Sequence, residues 1–218
     1  MKIAAVNGSP KLKGSLSGKI IEHMEKILGE HINVYHAAKL VRNETTSGSL
    51  RDLLSANALL IVFPLYVDSL PAPLIEFLTR LEKAKDSPTP LRVFAIVNCG
   101  FFEPKQIELA IEMIKHFTDC AGLQWGYGLG IGGGPLMAGF GNNWSSGPVS
   151  RINNALCDMA GAIRENRSGQ DVFTVAKFPR IIYKTMVDMS WSLQARKSGM
   201  RAASLRARPY AVKDESRS

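Results

Sequence analysis

The sequence predicts a doubly wound α/β domain: five parallel strands with helices on both faces, followed by a C-terminal helical extension. Three observations predict it. Short apolar, β-branched runs alternate with stretches of helical periodicity through the first 165 residues. The central runs are continuously apolar, as strands covered on both faces must be. The connections between them are short, so successive strand–helix pairs wind onto one sheet. A hydrophobic fraction of 45% and a charged fraction of 21% over 218 residues suit a globular chain with a sizeable core. They exclude a disordered or fibrous one.

Residues 2–7 form the first strand, stopped by the turn signal Gly8-Ser9-Pro10. Ile20, Ile21, Met24, Ile27 and Leu28 share one helical face, and Gly29 stands where a left-handed residue ends a helix. Residues 31–36 form the second strand, 50–56 a weak helix, and 58–63 an apolar run fit for a central strand. A helix over 71–83 starts at Pro71 and turns Leu74, Leu78 and Leu81 inward. The turn-rich residues 86–90 lead into a fourth strand over 91–97. A helix over 104–121 follows, with Ile107, Ile111 and Ile114 on one face and Gly122 at its end. Residues 123–131 form a glycine-rich fifth strand, and 148–164 a helix with Ile152, Leu156, Met159 and Ile163 inward.

The segment 166–169 reads as a break, which divides the chain into a domain over 1–169 and an extension over 170–218. Within the extension, 179–197 reads as a helix with Ile182, Met186, Met189 and Leu193 along one stripe. The formal charge is +8, from 27 Lys and Arg against 19 Asp and Glu; ten of those cations and only four of the acids lie in residues 170–218. A basic tail of this kind has several readings: an anionic membrane surface, nucleic acid, or the phosphates of a dinucleotide. The plainest is a helix packed on the domain or on a second subunit with its charges in solvent. No nucleic-acid motif accompanies the basic residues, so nucleic acid is not an expected partner.

No apolar run approaches the ~20 residues of a membrane span, and the first strand is too short for the core of a secretory signal. Cys99, Cys120 and Cys157 are far apart with no CxxC pair, so neither a disulfide framework nor a metal site is expected. A cytoplasmic, reducing setting fits best.

In open parallel sheets, ligands bind beyond the carboxyl ends of the strands where the strand order reverses. The first strand runs there into Ser9-Pro10-Lys11-Leu12-Lys13-Gly14-Ser15-Leu16-Ser17, with three hydroxyls, two lysines and a helix start. That set suits a phosphate, though it also reads as a plain strand–helix loop with Ser15 or Ser17 as the N-cap. It is neither a Walker A loop, because Ile20 stands where the metal-binding hydroxyl belongs, nor a dinucleotide fingerprint. After the third strand, Tyr66 on a proline-bounded loop can line a planar aromatic ligand or merely cover the core. After the fourth, Gly100 permits close backbone approach, with Phe101 and Phe102 at the rim.

Taken together, GSPKxKxSxS, PLYxDSLPAPLxEFL and NCGFFEP resemble the FMN-binding loops of the flavodoxin-like NAD(P)H-dependent FMN reductases. The resemblance covers about residues 1–165. It implies a five-stranded parallel sheet in the order 2-1-3-4-5. It also implies that Ser9, Lys11, Ser15 and Ser17 hold the FMN phosphate, with Leu16 in the same cofactor-binding set. Pro64, Leu65, Tyr66 and Val67 then contact the isoalloxazine or ribityl chain, and Asn98, Gly100 and Phe101 the pyrimidine edge. Asp68 departs from the residues many members carry. By the same resemblance, a nicotinamide stacks on the exposed flavin face and passes hydride to it, and a small acceptor (quinone, flavin, nitro or azo compound) then takes its place. No acid or base side chain is required, and none is assigned as catalytic. Members are commonly dimers or tetramers, so a homo-oligomer is expected. The competing class is a non-enzymatic flavodoxin-type electron carrier, against which the neutral body and basic tail argue.

Three further features have ordinary readings beside functional ones. The glycine-rich run from Gly126 contains a formal GxGxxG at Gly128, Gly130 and Gly133, but no helix with a ribose-binding acid follows, so a flexible loop closing over the flavin, an oligomer contact and a plain connection stay open. Trp144 is a lid or a core residue. His116 and Cys120, one helical turn apart, read as helix-face residues because no third ligand is in view.

Overall fold

Six parallel strands lie in the order β2-β1-β3-β4-β5-β6: β1 (Ile3–Asn7), β2 (Ile32–His36), β3 (Ala58–Pro64), β4 (Arg92–Asn98), β5 (Gln124–Gly132) and β6 (Val172–Val175). The helices are α1 (Leu16–Leu28), α2 (Ala37–Arg42), α3 (Ser47–Leu54), α4 (Ala72–Lys83), α5 (Ile107–Cys120), α6 (Gly134–Gly139), α7 (Ser150–Arg164) and α8 (Arg180–Lys197). This computed structural model describes residues 1–42, 47–84, 90–141 and 143–207. The turn expected over 86–90 lies, apart from Pro90, outside the described residues.

The helix boundaries follow from local chemistry. Ser15 caps α1, its Oγ accepting the Gly18 N–H at 3.1 Å, and Gly29 ends the helix with φ 67°. Pro71 precedes α4, where a missing N–H costs nothing. On one face of the sheet, Val6, Leu59, Ile61, Phe63, Val93 and Val97 join Leu74 and Phe77 of α4 and Ile107, Ile111 and Ile114 of α5 in a continuous core. On the other face α1 and α7 pack against each other, α1 on β3 and α7 on β5 and β6.

The glycines of β5 have a packing explanation. A Cβ on Gly128 would meet the Ile111 side chain at 2.6 Å, and one on Gly130 would meet Phe173 at 2.6 Å. One on Gly132 would fall 2.2 Å from the Phe102 carbonyl oxygen. A stripe without side chains lets α5 and the segment before it press directly onto the sheet. The run that resembled a dinucleotide fingerprint is therefore strand as far as Gly132, and α6 follows it.

The strand order begins 2-1-3-4-5 as expected, but the sheet has six strands rather than five. β6 was missed because it is four residues long, lies at the sheet edge, and follows a polar linker. It is held by ladder pairing from Leu129↔Val172 to Gly132↔Val175, and by the Asp171 carboxylate, which accepts the Gly128 N–H at 2.6 Å. The sheet thus extends past the boundary expected at residue 169, and the segment after it is not wholly helical. The chain forms two compact units, Met1–Lys177 and Phe178–Ser218. The second consists, among the described residues, of α8 and a 3₁₀ turn over Ala202–Arg206 that packs on it.

Candidate active site

Asn7, Pro64 and Asn98 end β1, β3 and β4, and the three loops that leave them meet at one place. Between them lies a cleft of about 300 Å³ lined by Leu16, Pro64, Leu65, Tyr66, Asn98, Cys99, Gly100, Gly134 and Pro135. Six of these are residues expected in the cofactor site: Leu16, Pro64, Leu65, Tyr66, Asn98 and Gly100.

Two asparagines order the loops, Asn7 within the first and Asn98 between them. Asn7, buried at the end of β1, accepts the Ser9 N–H through Oδ1 at 3.0 Å and donates through Nδ2 to Ser15 Oγ at 3.2 Å. Asn98 Nδ2 donates to Ser17 Oγ at 3.3 Å and to the Phe63 carbonyl at 3.1 Å, while its own carbonyl accepts the Leu65 N–H at 2.8 Å. A buried amide spends its donors on buried acceptors. Asn98 thereby holds the first, third and fourth strand ends in one register.

The first loop presents donors. Ser9 Oγ accepts the Lys11 N–H at 3.2 Å, Ser15 Oγ accepts from Gly18 and Asn7, and Ser17 Oγ accepts from Asn98. Each hydroxyl oxygen is engaged as an acceptor, which leaves its hydrogen to be donated outward. The N–H groups of Leu16 and Ser17, at the start of α1, have no intrahelical acceptor. Lys11 and Lys13 are exposed on the same loop. Hydroxyls, helix-start amides and lysines on one loop, with the positive helix end behind them, are the chemistry that suits an anion. A Cβ on Gly18 would lie 3.2 Å from Ser15 Oγ and 3.3 Å from Asn7 Nδ2, close enough to press on both.

The second loop is a tight hairpin. Tyr66 and Ser69 exchange N–H···O bonds, both 3.0 Å, across Val67 and Asp68, whose φ angles are 49° and 55°. Two central residues with positive φ make a type I′ turn, for which Asn and Gly are the favoured residues. Asp tolerates that conformation, but a β-branched Val does not. Val67 is 99% exposed and Tyr66 48% exposed. Tyr66 therefore lines the cleft, while Val67 stands clear of its wall at the rim.

The third loop places Cys99 and Gly100 in the cleft wall and leaves Phe101 at the rim, 55% exposed. Cys99 is buried, and burial pushes its thiol pKa up, against a smaller lowering by the Phe101 backbone. Its N–H donates to the Ile131 carbonyl at 3.0 Å, so that amide is spent on the sheet and is not available to a ligand. Gly133 N–H bonds to the Phe101 carbonyl at 2.7 Å and Gly134 N–H to the Cys99 carbonyl at 2.9 Å. A Cβ on Gly134 would meet that carbonyl oxygen at 3.0 Å and Leu16 at 3.2 Å.

Cys99, Gly134 and Pro135 were not anticipated in the wall. The available signal was Gly-Gly-Gly-Pro directly after an apolar strand, a pattern that ends a strand with close backbone contact. Trp144 is buried, its ring 4.6 Å from that of His23, so it belongs to the core and is not a lid. The sulfur of Cys120 lies 3.5 Å from His116 Nε2 on the exposed face of α5, and no group of three metal-ligating side chains occurs among the described residues.

A model of the NADPH-dependent FMN reductases matches residues 1–124. The chain belongs to this family. Among solved structures it is similar to an NADH:FMN oxidoreductase (EMOB) in its apo form, with a TM-score of 0.58 at 15% identity over 77% of this chain and 90% of that one. An NADPH-quinone reductase from P. pentosaceus aligns with a TM-score of 0.52 at 17% identity, over 73% of this chain and 98% of that one. A WrbA-like flavodoxin from Agrobacterium tumefaciens aligns with a TM-score of 0.50 at 10% identity, over 77% and 100%. At such identities these likenesses establish a shared flavodoxin-like fold. No curated protein matches the chain in sequence. As a member of the FMN reductase family, the chain is an NAD(P)H-dependent FMN oxidoreductase, with FMN and a nicotinamide as its cofactors. Both parts of the site fit FMN. The first loop offers the donors a phosphate monoester needs, and the cleft beside it is walled by Leu16, Pro64, Leu65 and Tyr66, as a flat aromatic ring requires.

Proposed function

We propose that this FMN reductase holds the FMN phosphate in the loop of Ser9, Lys11, Ser15 and Ser17, and the ring in the cleft between Leu16, Pro64, Leu65 and Tyr66 on one side and Asn98 and Gly100 on the other, with Val67 and Phe101 at its rim. The observation that carries this reading is the convergence of a hydroxyl-rich helix start and a 300 Å³ cleft at the ends of β1, β3 and β4. FMN bound there takes electrons from NAD(P)H and passes them to a small oxidised acceptor, of which a quinone is the leading candidate because quinone reductases are among the similar structures. The chain's own part is to bind and to orient. The serine hydroxyls and helix start neutralise the phosphate, Asn98 fixes the spacing of the loops, and Tyr66 shapes the open face on which nicotinamide and acceptor alternate. Among the described residues, no helix is long and apolar enough to cross a membrane, and the three free cysteines accord with a reducing cytoplasm.

The protein is further proposed to act as a homodimer or tetramer. Ile75, Leu109 and Met113 are 43%, 61% and 37% exposed on α4 and α5, and Ser69 Oγ lies 3.8 Å from the Met113 sulfur, which sets the Tyr66 hairpin beside that apolar surface.

The purified protein, loaded with FMN and mixed anaerobically with NADH or NADPH, should bleach rapidly and recover its colour on addition of a quinone. Bleaching without re-oxidation by any small acceptor would favour an electron carrier. A protein that stays colourless after incubation with excess FMN would overturn the assignment of the cleft. Light scattering reports the oligomeric state, and Leu109→Glu should shift it toward the monomer.

A further inference from the structure

Helix α8 carries an apolar stripe that the active site does not use. Ile182, Met186, Met189 and Leu193 recur at steps of four, three and four residues, the spacing of one helical face. They are 48%, 45%, 60% and 50% exposed; Ile181 and Trp191, off the stripe, are 81% and 59% exposed. Met186, Met189 and Leu193 line a groove of about 320 Å³ together with Ser190, Gln194 and Lys197. Helical periodicity sets Arg196 and Lys197 on the two flanks of the stripe at its C-terminal end, and turns Asp188, the helix's one acid, away from it.

Charge identifies the occupant. Residues 178–218 carry nine Lys and Arg against three Asp and Glu, while residues 1–177 carry 18 against 16. A second copy that laid its own α8 on the stripe would bring one strongly basic unit against another. Nucleic acid would satisfy the cations but has no use for an exposed row of Ile, Met and Leu. An anionic bilayer satisfies both, taking the apolar side chains at the acyl boundary and the basic ones at the headgroups. The helix has 18 residues, and no described helix is apolar enough to cross a membrane, so α8 lies on the surface and does not span it.

We propose that α8 is a reversible anchor that docks the enzyme on an anionic membrane surface through Ile182, Met186, Met189 and Leu193, with Arg196 and Lys197 at the headgroups. The anchor is independent of the cofactor assignment, because nothing in the active site contributes to it.

The test is co-sedimentation of the full-length protein with phosphatidylcholine vesicles, with and without phosphatidylserine. Binding should be about tenfold or more tighter with phosphatidylserine and should weaken as salt rises. Ile182→Glu combined with Met189→Glu should lose about tenfold or more of that affinity, whereas Ile182→Leu with Met189→Leu should keep it. Arg196→Gln with Lys197→Gln should lose the preference for phosphatidylserine. All three variants should retain the wild-type rate of FMN reduction and the far-ultraviolet helix signal. Failure of the wild-type protein to sediment with either vesicle would overturn the proposal. So would vesicle binding that the glutamates leave unchanged, which would mark a purely electrostatic contact such as nucleic acid makes. A wild-type dimer split by the glutamates, without vesicle binding, would assign the stripe to a second copy instead.

Discussion

At Ser15 one hydroxyl caps α1 through Gly18 and, in the proposed function, also meets the phosphate. Ser15→Ala removes both at once and therefore separates nothing. Ser15→Asp separates them, because Asp caps a helix as well as Ser does yet sets a negative charge beside the phosphate. Like charges about 4 Å apart repel by roughly 1–4 kcal/mol in partly exposed surroundings. FMN affinity should fall about tenfold or more, while the affinity for riboflavin, which lacks the phosphate, and the melting temperature should hold; equal losses for the two flavins would remove the phosphate from this loop. Val67 poses the converse case. Its left-handed backbone costs an L-residue about 1–2 kcal/mol, and Asn adopts it readily. Val67→Asn should raise the urea midpoint by the equivalent of about 1 kcal/mol. A simultaneous loss of FMN affinity would show that the strain is kept for the site. Cys99 gives a third measure: its burial and raised thiol pKa should make it slow toward iodoacetamide at pH 8, while the exposed Cys120 and Cys157 react first.

At the scale of elements, the strands and helices with a full apolar face were legible in the sequence, because burial on both sides of a parallel sheet leaves continuous apolar runs that little else imitates. What escaped has a physical reason in each case. α2 follows β2 directly, with no turn residue between them and only six residues of its own. β6 is a four-residue edge strand whose partners lie more than 40 positions earlier, and no local pattern reports that distance. The glycines of β5 were visible but not their purpose, since what a Cβ would strike is a property of the neighbours. That purpose yields an ordering. Gly128→Ala meets a side chain, Ile111, which can shift, and should cost about 1–3 kcal/mol. Gly132→Ala meets the Phe102 backbone carbonyl, cannot be relieved by a rotamer, and should cost more than Gly128→Ala in denaturant unfolding. Because Phe102 lies in the loop that carries Gly100 and Phe101, Gly132→Ala should also weaken FMN binding, whereas Gly128→Ala should not.

For the whole molecule, the sequence singled out the loops after strands one, three and four, and six of the residues it named there line one cleft. It could not show that Asn98 joins those loops while Asn7 braces the first, because a buried amide and a surface amide look alike in a sequence. Nor could it show the cluster around Asp52. Lys2 Nζ bonds to the Asp52 carboxylate and Ser55 Oγ, both at 2.5 Å, and the Tyr35 hydroxyl donates to the same carboxylate, tying β2 and the residue before β1 to α3. Burial, and then the hydrogen bond and charge of Asp52, push the Tyr35 pKa up to about 12 from 10.0. Burial, with a smaller contribution from the Asp158 charge, pushes Tyr127 up to about 12 as well. Both phenols hold their protons more tightly in the folded chain than in the unfolded one. The stability this confers is complete below pH 10 and is lost as pH rises from 10 toward about 12, because over that interval the unfolded state sheds protons the native state keeps. Urea midpoints should therefore fall across that window in the wild-type protein. The fall should be shallower in Tyr35→Phe and in Tyr127→Phe, and shallowest in the double variant. Phenolate absorbance of the native protein should show two of the five tyrosines titrating near 12. Tyr35 does not line the cleft, so FMN binding should be no weaker in Tyr35→Phe below pH 9, and a loss there would mean that the Asp52 cluster is coupled to the cofactor site.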